Sequence, residues 1–126
     1  MWEDRIPKRR IGTLAPLGAT ENAAYEFYRI APRDVMALYL PVGLQKFSAE
    51  DVERVFEPID GYIAYLLDRD VDIIVQSGVP LPLLIGVEAH DRLMGHIAKE
   101  SGLPVTSSVT AVVDAAKHLG IKNIAL

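Results

Sequence analysis

The 126-residue sequence contains no cysteine. Disulfide bonds and thiolate chemistry within these residues are therefore excluded. The sequence also lacks an apolar run long enough to cross a membrane. Its first ten residues, MWEDRIPKRR, lack the apolar core of a secretion signal. These absences predict a cytoplasmic protein that makes no contact with a membrane.

Positive charge is scarce as well. The sequence contains 13 lysines and arginines and 17 aspartates and glutamates, which gives a net charge of −4. Proteins that bind nucleic acid carry clustered positive charge, whereas the single basic cluster here, Lys8-Arg9-Arg10, is better explained as a solvated edge. We therefore expect no nucleic-acid partner. Half of the residues are apolar, which is typical of a globular chain, and the length fits one domain.

Short apolar runs alternate regularly with amphipathic segments. This alternation predicts parallel strands joined by right-handed crossover helices. The expected fold class is a doubly wound α/β sheet of the flavodoxin-like or Rossmann-like kind. Strands are predicted at Arg10–Ala15, Val35–Leu40, Val71–Gln76, Leu103–Val105 and from Ile121 to Leu126.

The helix signals are clearest between the second and third strands. Ser48 is a typical N-cap, with Glu50 and Asp51 near the positive end of the helix dipole. Pro58 predicts a kink or a break further along. Other helices are predicted from a cap at Thr20 to Pro32, over Val87–Ser101 with Gly102 as C-cap, and over Thr110–Leu119 with a cap at Ser107 or Ser108.

Three loops are candidates for a binding site, because ligands of doubly wound sheets bind at the carboxyl ends of the strands. These loops are Pro16–Thr20, Ser77–Leu83 and Thr106–Ser108. The first loop is either an anion cradle built from backbone N–H groups or a tight turn. The third offers hydroxyl donors to a ligand or only caps a helix.

The three histidines do not suggest a metal site. His90 and His96 are six residues apart and so lie on different faces of a helix. His118 lies in the last turn of its helix, where a cation suits the dipole. No cluster of Asp, Glu and His has the spacing of metal ligands. We expect three ordinary surface histidines and no metal.

Four stretches together resemble the N-terminal half of the aspartate/glutamate racemase superfamily, nearest to its maleate isomerase and arylmalonate decarboxylase branch. They are RIGTLAPLGAT, FSAEDVE, VDIIVQSGVPLPLLIG and ESGLPVTSSVTAVVDAAKHLGIKNIAL. The resemblance implies half of a pseudo-symmetric two-domain fold that works without a cofactor. The expected organisation is an arm at residues 1–9, an α/β domain at 10–120, and the first strand of a second domain at 121–126.

In that family each half usually offers one cysteine at the end of a strand. The resemblance places Gly78 where the first cysteine belongs, and the decarboxylases also have glycine there. No catalytic residue is therefore expected among these 126 residues. Val79 and Pro80 depart from the hydroxyl residues of the decarboxylases, which weakens the expected oxyanion hole. The expected substrate-binding residues are Pro16, Leu17, Gly18, Gly78, Val79, Ser107 and Ser108.

The resemblance implies a decarboxylase, isomerase or racemase that acts on a small mono- or dicarboxylic acid through an enolate-like intermediate. The chain would be its N-terminal half and inactive by itself. The alternative is a degenerate α/β domain that binds a small carboxylate, or only a partner, without catalysis. The sequence is compatible with a homo-oligomer and does not specify the substrate.

Overall fold

The computed structural model describes residues 7–17 and 22–124, which form a four-stranded, all-parallel sheet flanked by helices. This architecture confirms the predicted fold class. The strands are β1 (Arg9–Leu17), β2 (Val35–Leu44), β3 (Ile73–Gln76) and β4 (Val105–Ser107). The helices are α1 (Asn22–Ile30), α2 (Ala49–Phe56), α3 (Ile59–Leu67), α4 (Pro80–Ile85), α5 (Val87–Ser101) and α6 (Ser108–His118).

The strand order is β2-β1-β3-β4, so the order switches between β1 and β3. Leu14 of β1 lies beside Gln76 of β3, and Gln76 lies beside Ser107 of β4. Because all strands are parallel, their carboxyl ends meet at one edge of the sheet. The strands are parallel, as predicted, and the first three along the chain are neighbours in the sheet.

The main core lies between the sheet and helices α2, α3, α4 and α5. Leu14 and Ile74 point into this core and are completely buried. Gly12 lets α3 approach β1 closely, because a Cβ atom there would lie 3.1 Å from both δ-carbons of Leu66. The apolar side chains that the helices bury in this core are Val52, Val55, Phe56, Ile59, Ile63, Leu66, Leu81 and Ile97.

The helix boundaries follow the local signals. Helices α2 and α3 are separate around Pro58, as predicted from a residue that has no N–H to donate. Ser48 Oγ accepts from the N–H of Asp51 at 3.2 Å. Ser107, rather than Ser108, is the N-cap of α6. Gly102 ends α5 with a left-handed φ of +67°.

Several boundaries differ from the predictions; among them, β3 begins at Ile73 rather than Val71. Strand β2 runs to Leu44 because β1 continues to Leu17 beside it. The register of the two strands shifts after Ala15, and Gly43, with φ +79°, lies in β2 at this irregularity. Strand β4 begins only at Val105, which is the residue that pairs with β3. The segment predicted as a loop after Gly78 contains α4, whose first residue, Pro80, has its φ preset for a helix start.

The strand expected from residue 121 is absent over residues 121–124. Ile121 and Ile124 are exposed there, and a strand needs a neighbour for its backbone hydrogen bonds. Residues 125 and 126, Gly18 and the predicted cap Thr20 lie outside the described residues. The division into an arm, an α/β domain and the first strand of a second domain stays a prediction.

Asp51 fixes the connection between β2 and α2. Its Oδ2 accepts from the backbone N–H groups of Gln45 and Lys46, both at 2.7 Å. Its Oδ1 accepts from Arg54 Nε at 2.7 Å. The hydrogen bond from Arg54, with that from Lys46, lowers the pKa of Asp51 from 3.8 to about 2. The ionised carboxylate is therefore favoured in the folded state.

We expect folding stability to fall as the pH drops from 3.8 towards 2, partly because of Asp51. A carboxyl whose pKa is lowered by folding stabilises the protein above its unfolded pKa and loses this contribution as it is protonated. Asp51→Asn should flatten this part of the profile, measured by urea unfolding at several pH values. The matched control is Asp114→Asn on the exposed side of α6, which should keep the wild-type slope. An unchanged slope in Asp51→Asn would contradict the assignment.

Candidate functional site

The predicted site residues that the structure describes lie at the carboxyl edge of the sheet. Pro16 and Leu17 end β1, Gly78 follows β3, and Ser108 begins α6 directly after β4. A Cβ atom built on Gly78 would lie 2.8 Å from Pro16 Cγ. The N–H of Gly78 donates to Ser108 Oγ at 3.2 Å. The structure thus brings together parts of all three loops chosen from the sequence.

Any residue with a Cβ atom would be strained at the position of Gly78. Its φ is +102°, a conformation that disfavours a Cβ atom. The ring of Pro16 also occupies the space that a Cβ would need, with Cγ at 2.8 Å and Cδ at 3.4 Å. Both backbone and space therefore require glycine here.

Only some of the expected hydrogen-bond donors are free for a ligand. Ser107 is completely buried, and its Oγ accepts from the N–H of Thr110 at 3.1 Å, so it acts as a helix cap. The N–H of Gly78 is used by Ser108. Within residues 7–17 and 22–124, no acceptor is found for the N–H of Val79 or for the hydroxyl proton of Ser108. Val79 as a residue is half exposed.

A groove of about 380 Å³ runs from this edge beneath α1. It exists because α1 buries none of its residues against the sheet. Ser77 and Ser108 line the groove, together with Phe27 and the polar or charged residues Thr13, Tyr39 and Glu26. Burial, with a smaller effect of the neighbouring Tyr28, raises the pKa of Tyr39. The groove therefore offers partly apolar space next to hydroxyl groups.

A buried polar pair that the sequence analysis missed lies behind Gly78. His90 is 4% exposed, and its Nε2 lies 3.2 Å from Oε1 of Gln76, which is 1% exposed. Gln76 Nε2 donates to the carbonyl of Ser77. The prediction of a surface position is therefore wrong for His90. Its spacing to Leu93 and Ile97 follows the inward face of α5 and could have indicated burial.

Two titratable side chains, Glu26 and Tyr39, line the groove with Ser77 and Ser108, whereas the other two histidines lie elsewhere. His96 is partly exposed and pairs with Asp60 at 2.6 Å, and His118 is exposed. Across the described ranges, no three His, Asp or Glu side chains are grouped as metal ligands would be. No helix there has the length and apolar character needed to span a membrane. The site residues are proline, leucine, glycine, valine and serine, which can bind an anion but carry no titratable group.

The sequence profile of the arylmalonate decarboxylase family matches residues 22–126. None of the curated proteins compared with the chain matches it. Among solved structures, a liganded double mutant of arylmalonate decarboxylase, with glycine changed to cysteine and cysteine to serine, is 22% identical with a TM-score of 0.73. The alignment covers 90% of this chain and 47% of that one.

Two maleate isomerases are also similar. The variant from Pseudomonas putida S16 with maleate is 17% identical, with a TM-score of 0.73. The Nocardia farcinica cis-trans isomerase mutant with a covalent succinylcysteine intermediate is 18% identical, with a TM-score of 0.72. Each match covers 89% of this chain and 49% of the other. At these identities the likeness establishes the fold, and the chain spans about half the length of the structures it matches.

Gly78→Ala should lower the free energy of unfolding by more than about 1 kcal/mol, because its φ disfavours a Cβ and Pro16 occupies the space. Adding Pro16→Ala should recover the part of this stability loss that is due to the clash with Pro16. The part that is due to the positive φ should remain. Urea unfolding of both single variants and the double variant separates the two effects.

Gly95→Ala is the matched control for this series. Gly95 lies within α5, and a Cβ atom added there would have no neighbour within 4 Å, so the change should stabilise the protein by about 0.5–1 kcal/mol. A Gly78→Ala variant as stable as the wild type would show that Gly78 is not held in this conformation.

Proposed function

The chain belongs to the arylmalonate decarboxylase family, and from this premise we propose that it supplies one wall of a site for a small carboxylate. The proposed reaction is decarboxylation or isomerisation through an enolate-like intermediate, with this chain as the N-terminal half of the enzyme. The observation that carries the proposal is the meeting of Pro16, Gly78 and Ser108 at the carboxyl edge of the sheet.

Two donors support binding of a carboxylate at this edge. The N–H of Val79 and the hydroxyl of Ser108 lie on consecutive loops of the sheet edge, and neither is used by an acceptor in the described part of the chain. Fixed donors of this kind stabilise negative charge that develops on oxygen, and a single one can contribute about 3 kcal/mol. Pro80 has no N–H to add, so this wall offers few donors.

The groove beneath α1 supports a substrate with an apolar substituent. It begins at Ser77 and Ser108 and continues past the ring of Phe27. A carboxylate at the sheet edge would place its substituent within reach of this groove. Its volume of about 380 Å³ falls within the ~300–1,000 Å³ of typical ligand pockets.

The proposed division of roles follows from what the site residues carry. When a dicarboxylate loses CO₂, the electron pair of the broken C–C bond passes into the remaining carboxylate and forms an enediolate. Donors on this wall stabilise that charge. Proton return to carbon needs an acid, which the residues around Gly78 do not supply. The opposite wall of the cleft would supply it, so the proton would arrive at one face of the carbon.

A second candidate function is a carboxylate-binding domain without catalysis. It is favoured by the hydrogen bond from Gly78 to Ser108, which occupies a donor near the proposed oxyanion. Pro80 removes another donor. Binding of a carboxylate without turnover in a protein that contains both halves would favour this second candidate.

A single cysteine introduced at Gly78 tests the carboxylate site directly, since the chain has no other thiol. Pro16→Ala is included to make room for the new side chain. We expect phenylmalonate to slow alkylation of this thiol by iodoacetamide, by about tenfold at a ligand concentration about ten times Kd. Mass spectrometry gives the rate of labelling.

The matched control is Gly95→Cys on α5, where phenylmalonate should not change the labelling rate. Equal protection of both thiols would indicate nonspecific binding and contradict the site. An unprotected thiol at position 78 in a folded variant, confirmed by circular dichroism, would also contradict it.

The 126-residue chain should not decarboxylate phenylmalonate or isomerise maleate. It contains no thiol, and Pro16, Gly78, Val79 and Ser108 carry no titratable group that can return a proton. Chromatographic detection of product, compared with a mock purification, measures this. Turnover above that of the mock sample would contradict the proposed division of roles.

A further inference from the structure

We propose that Gln76 and His90 are positioning residues that set the orientation of the peptide group between Ser77 and Gly78. This inference rests on the proposed function, because that peptide borders the proposed carboxylate site. Gln76 is the last residue of β3 and His90 lies in the first turn of α5. The pair therefore connects a crossover helix to the strand end that forms the site.

The burial of the pair requires a specific arrangement. Gln76 and His90 are 1% and 4% exposed, in a region otherwise filled by side chains such as Leu14 and Ile74. Polar groups buried in this way are costly unless they are hydrogen-bonded. No buried side-chain nitrogen or oxygen in the described ranges lacks a partner, so the pair is satisfied.

The carbonyl of Ser77 can only accept a hydrogen bond, and this fixes the direction of the two hydrogen bonds made by the Gln76 side chain. Gln76 Nε2 donates to the carbonyl of Ser77, so its Oε1 faces His90 and accepts. The opposite orientation of the amide would set two oxygens against each other. His90 must therefore carry its proton on Nε2 when its ring is neutral. The backbone N–H of His90 donates to the carbonyl of Gly86 at 3.0 Å, which fixes the backbone of His90 in the first turn of α5.

The carbonyl of Ser77 and the N–H of Gly78 belong to one peptide group, which is planar. Gln76 holds the carbonyl side of this group, and Ser108 Oγ accepts from the N–H side at 3.2 Å. Rotation of the plane would break both contacts. Because Ser108 Oγ accepts from Gly78, its own proton is directed elsewhere and is available for a ligand. The network from His90 through Gln76 thereby orients the Ser108 donor.

The network can be tested by NMR without any ligand. In the wild type, the side-chain nitrogen shifts of His90 should show a proton on Nε2, the atom that faces Gln76 Oε1. Gln76→Met and His90→Leu remove the hydrogen bonds at similar volume. Each should shift the carbonyl carbon of Ser77 and speed hydrogen exchange of the Gly78 amide by about tenfold, the loss of about one hydrogen bond.

His90→Gln is the conservative control, since its amide nitrogen can replace the Nε2 donor. It should restore the Ser77 shift and the Gly78 exchange rate close to wild type. The Ile97 amide within α5 is the internal reference and should keep its relative protection. A role in stability alone would speed exchange at Ile97 and Gly78 together, which would overturn the inference.

Two other results would overturn it: a neutral wild-type His90 with its proton on Nδ1, or an unchanged Ser77 carbonyl shift in both deletion variants. The tautomer of His90 is measured in the wild type, so this test does not depend on the folding of any variant.

Titration with phenylmalonate separates this inference from the proposed function. We expect the amides of Val79 and Ser108 to shift in the wild type, with a Kd raised several-fold in His90→Leu and restored in His90→Gln. A wild type that does not respond would contradict the proposed function, while the ligand-free NMR result would still support the positioning network. An equal Kd in the wild type and His90→Leu would overturn the role of the pair in orienting Ser108.

Discussion

The site depends on the parallel pairing of β1 with β3. This pairing sets Leu14 beside Gln76 and carries the register on to Ser107 of β4. As a result, the residues that follow each strand are close in space although they are far apart in sequence. If β1 and β3 paired one residue out of register, their core-facing residues would be directed to the other face of the sheet. Pro16 would then no longer lie against Gly78.

Close packing at the strand ends follows from this pairing. Gly78 combines a positive φ with the ring of Pro16 at a distance that leaves no space for a Cβ atom. The absence of a side chain at the position that the family resemblance assigns to a cysteine thus has a local structural cause. A thiol could be placed there only if Pro16 or the backbone moved.

Much of the fold and part of the site could be predicted from the sequence. Signals within a few residues were reliable: the Ser48 cap, the break at Pro58 and the end of α5 at Gly102. The loops of the site could be located because carboxyl ends of parallel strands share one edge. The burial of His90 and its bond to Gln76 were missed, since they depend on how α5 is placed against β3.

The sequence by itself determined the alternation of strands and helices, the parallel sheet and the lack of any thiol, because these depend on residue order and local preference. The tertiary structure decided which donors are free. Ser107 and Ser108 are adjacent and chemically identical, yet one caps α6 in the interior while the other accepts from Gly78 and faces the groove. Only the packing of β4 against β3 distinguishes them, because the direction of a side chain depends on the strand with which its backbone pairs.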